Sequence, residues 1–162
     1  MTTTVHTRSV SETKAFAASF AQQLARGDLV ALRGELGAGK TQFVKGVCDA
    51  FGVRELVASP SFVILNRYSG RDQRGDELLL YHLDLYRIKS LEEVYDLGFE
   101  EFFYGDGITL VEWADLLGDL LPARRYDVLF TLGAHDNERH IEVQLKEGTG
   151  ALRRGVRARV QV

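Results

Sequence analysis

Gly34-Glu35-Leu36-Gly37-Ala38-Gly39-Lys40-Thr41 is the stretch whose reading decides the fold. It follows the pattern G-x-x-x-x-G-K-[ST], with Gly34, Gly39, Lys40 and Thr41 at the fixed positions. Before it, Asp28-Leu29-Val30-Ala31-Leu32-Arg33 is a short apolar run bounded by Gly27 and Gly34, which suits a buried strand. After it, Lys40 to Phe51 contains no proline and sets Phe43, Val47 and Phe51 on one helical stripe, stopped by Gly52. Strand, glycine loop and helix in that order let successive backbone N–H groups curl round a phosphate chain at a helix N-terminus. Glycine is needed where a Cβ would obstruct the close approach of backbone to phosphate. The Lys40 ammonium then bridges the terminal phosphates, and the Thr41 hydroxyl holds Mg²⁺. A glycine-rich turn can match the pattern by chance, but seldom between an apolar strand and an amphipathic helix. The expected ligand is a nucleoside triphosphate.

The 162 residues suffice for one domain with a sizeable core and are too few for two. Apolar content of 45% and charged content of 27% are ordinary for a globular chain. A net charge of -3 argues against a general nucleic-acid coat or a polybasic membrane binder. The one cysteine, Cys48, excludes an intramolecular disulfide and reads as small apolar packing within the helix. The N-terminal residues lack a secretory h-region, and no apolar run approaches a membrane span. The expected compartment is the cytoplasm, with no membrane partner.

Outward from the loop, Ser11 is a candidate cap for a helix over Glu12 to Arg26, with Phe16, Phe20 and Leu24 at four-residue intervals and Gly27 ending it. Ala58-Ser59-Pro60-Ser61 is turn chemistry, and Pro60 forces an extended lead into a strand over Phe62 to Tyr68. Ser69 to Asp76 reads as an exposed connection, and Glu77 to Leu85 returns as the second strand of an antiparallel hairpin. Leu91 to Leu97 and Glu100 to Tyr104 read as short helices separated by Gly98. Gly107 to Val111 is a compact buried strand ending at Glu112-Trp113, and Ala114 to Leu121 is helical until Pro122. Tyr126–Leu132, His140–Leu145 and Val156–Val162 alternate as half-exposed antiparallel strands should. The expected fold is a single-domain α/β sandwich, 1–162, with flanking helices. Its central sheet is mixed and mostly parallel, with antiparallel margins.

Phosphoryl transfer also needs carboxylate ligands for Mg²⁺ and a group that positions the attacking water. Strand alternation over His82-Leu83-Asp84-Leu85-Tyr86-Arg87 points His82, Asp84 and Tyr86 to one face. Burying that row unpaired is costly, so it is either part of the site or a hydrogen-bonded or solvent-facing strand surface. Glu112, at the C-terminal end of an apolar strand, has a Walker-B placement; the alternative is a routine acidic helix cap. With the glycine loop upstream, the metal-site reading is the stronger. Trp113 is a core anchor or a neighbour of the nucleotide. His6, His135 and His140 show no metal-ligand spacing.

The order LRGELGAGKTQF (32–43), SPSFVILNRY (59–68), HLDLYR (82–87), LGFEEFF (97–103) and ITLVEWADLLGDLLP (108–122) resembles the TsaE family, formerly YjeE. These are bacterial P-loop ATPases of tRNA threonylcarbamoyladenosine biosynthesis. The likeness runs from the Ser11-Glu12-Thr13 region through Pro122, roughly two-thirds of the chain. It implies a P-loop NTPase fold, ATP and Mg²⁺ as cofactors, and work with TsaB and TsaD proteins in modifying adenosine 37 of ANN-decoding tRNAs. ATP hydrolysis, slow without partners, would support turnover of that complex, through which tRNA is reached. By position, Glu35, Leu36, Gly37, Ala38, Gly39, Lys40, Thr41 and Gln42 would contact the nucleotide, with Thr13 near the base and Trp113 beside the site. Thr41, Asp84 and Glu112 would be the metal-associated groups, and Lys40, Asp84 and Glu112 the catalytic ones. Ser59, Pro60, Ser61 and Phe62 would form a switch-like segment.

Two departures stand out. Ser61 replaces a usual threonine, keeping the hydroxyl without the methyl group. Ala114-Asp115 replaces Pro-Glu, which puts any role for Asp115 in doubt. The hairpin tip Arg71–Asp76 is somewhat long and reads as a tolerated insertion. Rival functions are a small-molecule kinase, for which Arg67 to Arg74 is too short a lid, and a nucleotide-dependent switch with little turnover. Arg153, Arg154, Arg157 and Arg159 read as a guarded strand edge, or else as a tRNA- or partner-docking cluster.

Overall fold

The computed structural model describes residues 2–35, 37–58 and 64–148. Leu36, the Ser59–Phe62 segment, the start of the strand expected from Phe62, the strand expected over Val156–Val162 and the four C-terminal arginines lie outside the described residues. The elements run β1 (Thr2–Thr7), α1 (Val10–Ala21), β2 (Leu29–Gly34), α2 (Lys40–Ala50), β3 (Leu65–Arg71), β4 (Glu77–Asp84), α3 (Leu91–Asp96), α4 (Phe99–Phe103) and β5 (Ile108–Glu112). A 3-10 helix (Ala114–Leu120), β6 (Arg125–Leu132) and β7 (Arg139–Lys146) follow.

The described strands form one seven-stranded sheet in the order β1-β7-β6-β2-β5-β4-β3. Its centre, β6-β2-β5-β4, is parallel. The margins, β3 on β4 and β7 and β1 beyond β6, are antiparallel. Helices cover both faces of the centre, which is why β2 is apolar without alternation and Leu29, Val30, Ala31 and Leu32 are all buried. Val30 and Leu32 join the core of α1 and α2, with Phe20, Phe43 and Val47. Leu29 and Ala31 join a second core of Leu83, Val94, Phe99, Phe102 and Leu117. In the first core Phe20 meets Tyr126, and Phe43 meets Phe130, edge-on at 5.2 and 5.5 Å between ring centroids. Cys48 is buried there, and burial pushes its thiol up to about 12, as packing rather than reactivity requires.

Several expectations need correction. Ser9, not Ser11, caps α1, its hydroxyl accepting from the Glu12 N–H at 3.0 Å. The helix stops at Ala21, well before Arg26. The strand β1 had no forecast. It is an edge strand whose residues are mostly exposed, so it lacks the apolar alternation that marks a half-buried strand. β3 extends to Arg71, and the connection shrinks to Asp72–Asp76. The tip is anchored: Asp72 accepts from Arg26 at 2.7 Å and from the N–H groups of Arg74 and Asp76. The Arg26 guanidinium holds the Asp72 carboxyl below its usual range. The helix after Trp113 is 3-10, broken at Gly118 (φ 47°). β6 is antiparallel only to β7; against β2 it is parallel.

Gly46 sets the crossing of α1 and α2. A Cβ there would meet the Lys14 carbonyl oxygen at 2.4 Å and the Ala17 Cβ at 2.7 Å. Gly46→Ala is therefore expected to force the helices apart at a cost of about 2 kcal/mol, lowering Tm by roughly 4–8 °C. Thermal unfolding followed by circular dichroism checks this, and an unchanged Tm would show that the helices can part freely.

Candidate functional site

β2 delivers the loop at the carboxyl end of the parallel centre, where open α/β sheets place their ligands. Gly34 leaves the strand at φ 146°, and a Cβ there would lie 2.8 Å from the Phe130 carbonyl oxygen. Only glycine fits. Gly37 and Gly39 also take positive φ, at 78° and 101°. The turn closes through the Ala38 N–H donating to the Glu35 carbonyl at 3.1 Å. Gly39 then caps α2 without any side-chain bond, so the first turn's N–H groups and the positive end of the helix are left for an anion. Glu35 and Gly37 are exposed, and Gln42 is half-buried in the first turn of α2.

Lys40 is almost fully buried. Its Nζ donates to the Gly34 and Glu35 carbonyls at 2.6 and 2.9 Å and lies 4.0 Å from the centroid of the Trp113 ring. Burial lowers the Lys40 pKa, while the charges of Glu112, Asp84 and Asp115 oppose the fall. Trp113 occupies the left-handed region at φ 60°, the one non-glycine residue among those described to do so. Such a backbone persists only where its surroundings fix it, here directly after the Glu112 strand end. Asp115 turns toward Arg33 at 3.5 Å.

The parallel register brings the expected acids together. Asp84, the last residue of β4, is paired with Glu112, the last of β5. Glu112 is buried, and the Thr41 hydroxyl donates to its carboxylate, 3.2 Å from each oxygen. His82 Nε2 lies 2.5 Å from Glu112 Oε2. Asp84 Oδ1 accepts from the Tyr86 N–H at 3.0 Å. Tyr86 falls beyond the strand, exposed, with its ring 5.1 Å from that of Trp113. Leu83 and Leu85 go to the opposite core, as strand alternation expects. Hydroxyl and carboxylate oxygens at the loop suit a hard cation such as Mg²⁺, which takes one or two carboxylates and completes its shell with phosphates and water. Among the described residues no group of three or more His, Cys, Asp or Glu is placed to hold a metal ion by itself. His6 and His140 instead stack on each other across β1 and β7 at 4.6 Å.

Thr13 lies at the loop's other flank, buried, bonded through its hydroxyl to Thr7 at 2.7 Å. Its Cγ2 is 4.0 Å from where a Gly39 Cβ would stand. The residue that sequence reasoning missed is Arg139, at the start of β7. Its Nη2 and Nε donate to the carbonyls of Gly37 and Ala38, both at 3.0 Å, and its Nη1 to those of Asp136 and Glu138. Because C=O and N–H point oppositely across a trans peptide, holding the Ala38 carbonyl turns the Gly39 N–H to the far side of the loop. The partners are backbone atoms, so no side-chain motif announces the contact.

Comparison with known proteins converges on one family. The family model described as threonylcarbamoyl adenosine biosynthesis protein TsaE matches residues 7–141. The chain is 42% identical to the tRNA threonylcarbamoyladenosine biosynthesis protein TsaE of Bacillus subtilis over 130 residues, 80% of this chain and 77% of that one. It is 39% identical to the protein of the same description from Treponema pallidum, over 84% of this chain and 96% of the relative. The crystal structure of Bacillus subtilis YdiB superposes with a TM-score of 0.72 at 33% identity, covering 100% of this chain and 97% of the other. The P-loop NTPase fold is shared with it.

Two outcomes are expected of this geometry. Trp113 is the only tryptophan, so a phosphate group reaching Lys40 should change its emission saturably, and Lys40→Ala should lose the response. Arg139→Ala should raise the nucleotide Kd about tenfold in the same titration, since two hydrogen bonds that set the loop's carbonyls are lost. An Arg139→Ala variant with wild-type affinity would show that the loop holds its shape alone.

Proposed function

The chain belongs to the TsaE family of tRNA threonylcarbamoyladenosine biosynthesis proteins, and from that membership we propose that it is a P-loop ATPase acting on ATP with Mg²⁺. In this reading hydrolysis supports turnover of a TsaB–TsaD-type complex that threonylcarbamoylates adenosine 37 of ANN-decoding tRNAs, and tRNA is met through that complex. The observation that carries the proposal is the Thr41–Glu112 contact, which joins the first turn of α2 to the end of β5. A carboxylate at that point has no packing reason to be buried; beside a phosphate loop it has a chemical one.

The loop amides and the uncapped first turn of α2 bind the phosphates. Lys40 exchanges its carbonyl partners for phosphate oxygens, its charge sustained by the acids around it. Thr41, Glu112 and Asp84 hold the metal side of the site, and one of the two acids orients the attacking water. A Mg²⁺ ion held by these residues would supply charge neutralisation to the phosphate chain. Thr13 borders the nucleotide beyond Gly39, and Trp113 shields Lys40 from solvent. The Ser59–Phe62 segment, outside the described residues, is assigned the switch-like role. Among the described residues no helix is long and apolar enough to cross a membrane, and the proposed setting is the cytoplasm.

Three substitutions test the roles. Lys40→Ala abolishes productive ATP binding. Glu112→Ala stops hydrolysis while leaving magnesium-free nucleotide affinity within about threefold, because it acts on the metal and water rather than on the phosphate cradle. Asp84→Ala shifts the magnesium dependence of turnover. The assay is ADP release with and without a TsaB–TsaD complex, alongside modified tRNA. Stimulation by the complex is expected; labelled phosphate transferred to a metabolite instead would establish a kinase.

A further inference from the structure

His82 is completely buried on β4, between Leu80 and Asp84. Its strand neighbours in the same core, Leu80, Ile108 and Leu110, are all apolar. A leucine would fill such a place at lower cost, since a buried imidazole must find partners for both ring nitrogens. His82 finds one. Nε2 meets Glu112 Oε2 at 2.5 Å, and Nδ1 has no hydrogen-bond partner. The residue is register-paired with Leu110, so it reaches Glu112 diagonally, across two positions of the parallel ladder. The ring therefore spends its single bond on the buried acid that also receives the Thr41 hydroxyl.

We propose that His82 is a positioning residue whose Nε2–H locks the Glu112 carboxylate against Thr41, so that the acid is aimed before metal and nucleotide arrive. The inference rests on the ATPase reading above, but it concerns one side chain. Donation to a carboxylate requires a proton on Nε2, and the apolar wall offers Nδ1 no partner. With one oxygen held by the ring, the carboxylate loses its freedom to swing toward Lys40, and its other oxygen remains beside the α2 first turn. A group held in this way contributes without reorganising when charge develops. His82 touches neither phosphate nor reacting atom by this account; it acts through Glu112.

The test compares His82→Leu with His82→Gln. Leucine removes the donor and fills the apolar space, whereas glutamine can return an amide N–H near the Nε2 position. Two readouts are taken on folded full-length protein. One is ATP affinity by Trp113 fluorescence across a magnesium titration; the other is turnover with the partner complex. His82→Leu is expected to keep magnesium-free ATP affinity within about twofold while losing roughly tenfold or more in magnesium-linked affinity and in kcat. His82→Gln should recover most of both, with Tm for the two variants no guide to the ranking. Wild-type magnesium linkage in His82→Leu overturns the proposal. So does equal loss in both variants that follows their Tm, which would make the residue structural. If the wild-type protein shows no turnover, the ATPase reading fails on its own, and the magnesium linkage of ATP affinity still decides the role of His82.

Discussion

The chemistry available to this molecule depends on β2 and β5 lying side by side and running the same way. Leu32 is paired with Glu112, so one strand releases the phosphate loop two residues later while its neighbour ends on a carboxylate. β4 repeats the delivery on the far side of β5, with Asp84 opposite Glu112. Slipping β5 by one residue would turn Glu112 to the α3–α4 face and present Val111 to Thr41. Burial of both faces forbids that slip: Ile108, Leu110 and Val111 are all fully buried, divided between two different cores. Hydrophobic packing thus sets the position of a charge.

Four polar side chains around the loop, those of Thr13, Lys40, Thr41 and Arg139, have partners within the protein. Lys40 sits on carbonyls of its own loop, Thr41 on Glu112, Thr13 on Thr7, and Arg139 on the carbonyls of Gly37 and Ala38. In the proposed reading a phosphate chain would gain affinity by exchange, replacing the Lys40 and Thr41 contacts while the outer ones persist. Such an arrangement is pre-organised, and it avoids leaving a buried ammonium or carboxylate unpaired. The left-handed backbone at Trp113 belongs to the same design, because it carries the ring from the end of β5 back over Lys40.

Much of this was legible in the sequence, for physical reasons that can be named. A strand buried on both faces shows as an unbroken apolar run, and the Asp28–Arg33 stretch between two glycines has that signature; the strand itself spans Leu29–Gly34. The stripe of Phe43, Val47 and Phe51 announced α2, and all three residues are buried. Alternation put His82 and Asp84 on one face, although it could not reveal that His82 reaches diagonally to Glu112. What escaped had no side-chain signature. β1 is an exposed edge of threonines, its place fixed by pairing with β7 from the far end of the chain. The direction of β6 is set by its neighbour β2, not by its own alternation. Arg139 acts on carbonyls, which every residue possesses.

Calorimetry of ATP added to the wild-type protein, with and without magnesium, tests the central claim most directly. The account predicts one site per chain with measurable heat, and tighter binding when magnesium is present, because the Thr41–Glu112 pair opens onto a cation that the nucleotide brings. Folded protein giving no heat with ATP and magnesium would contradict it. Binding indifferent to magnesium would spare the phosphate loop and refute the part assigned to the acids.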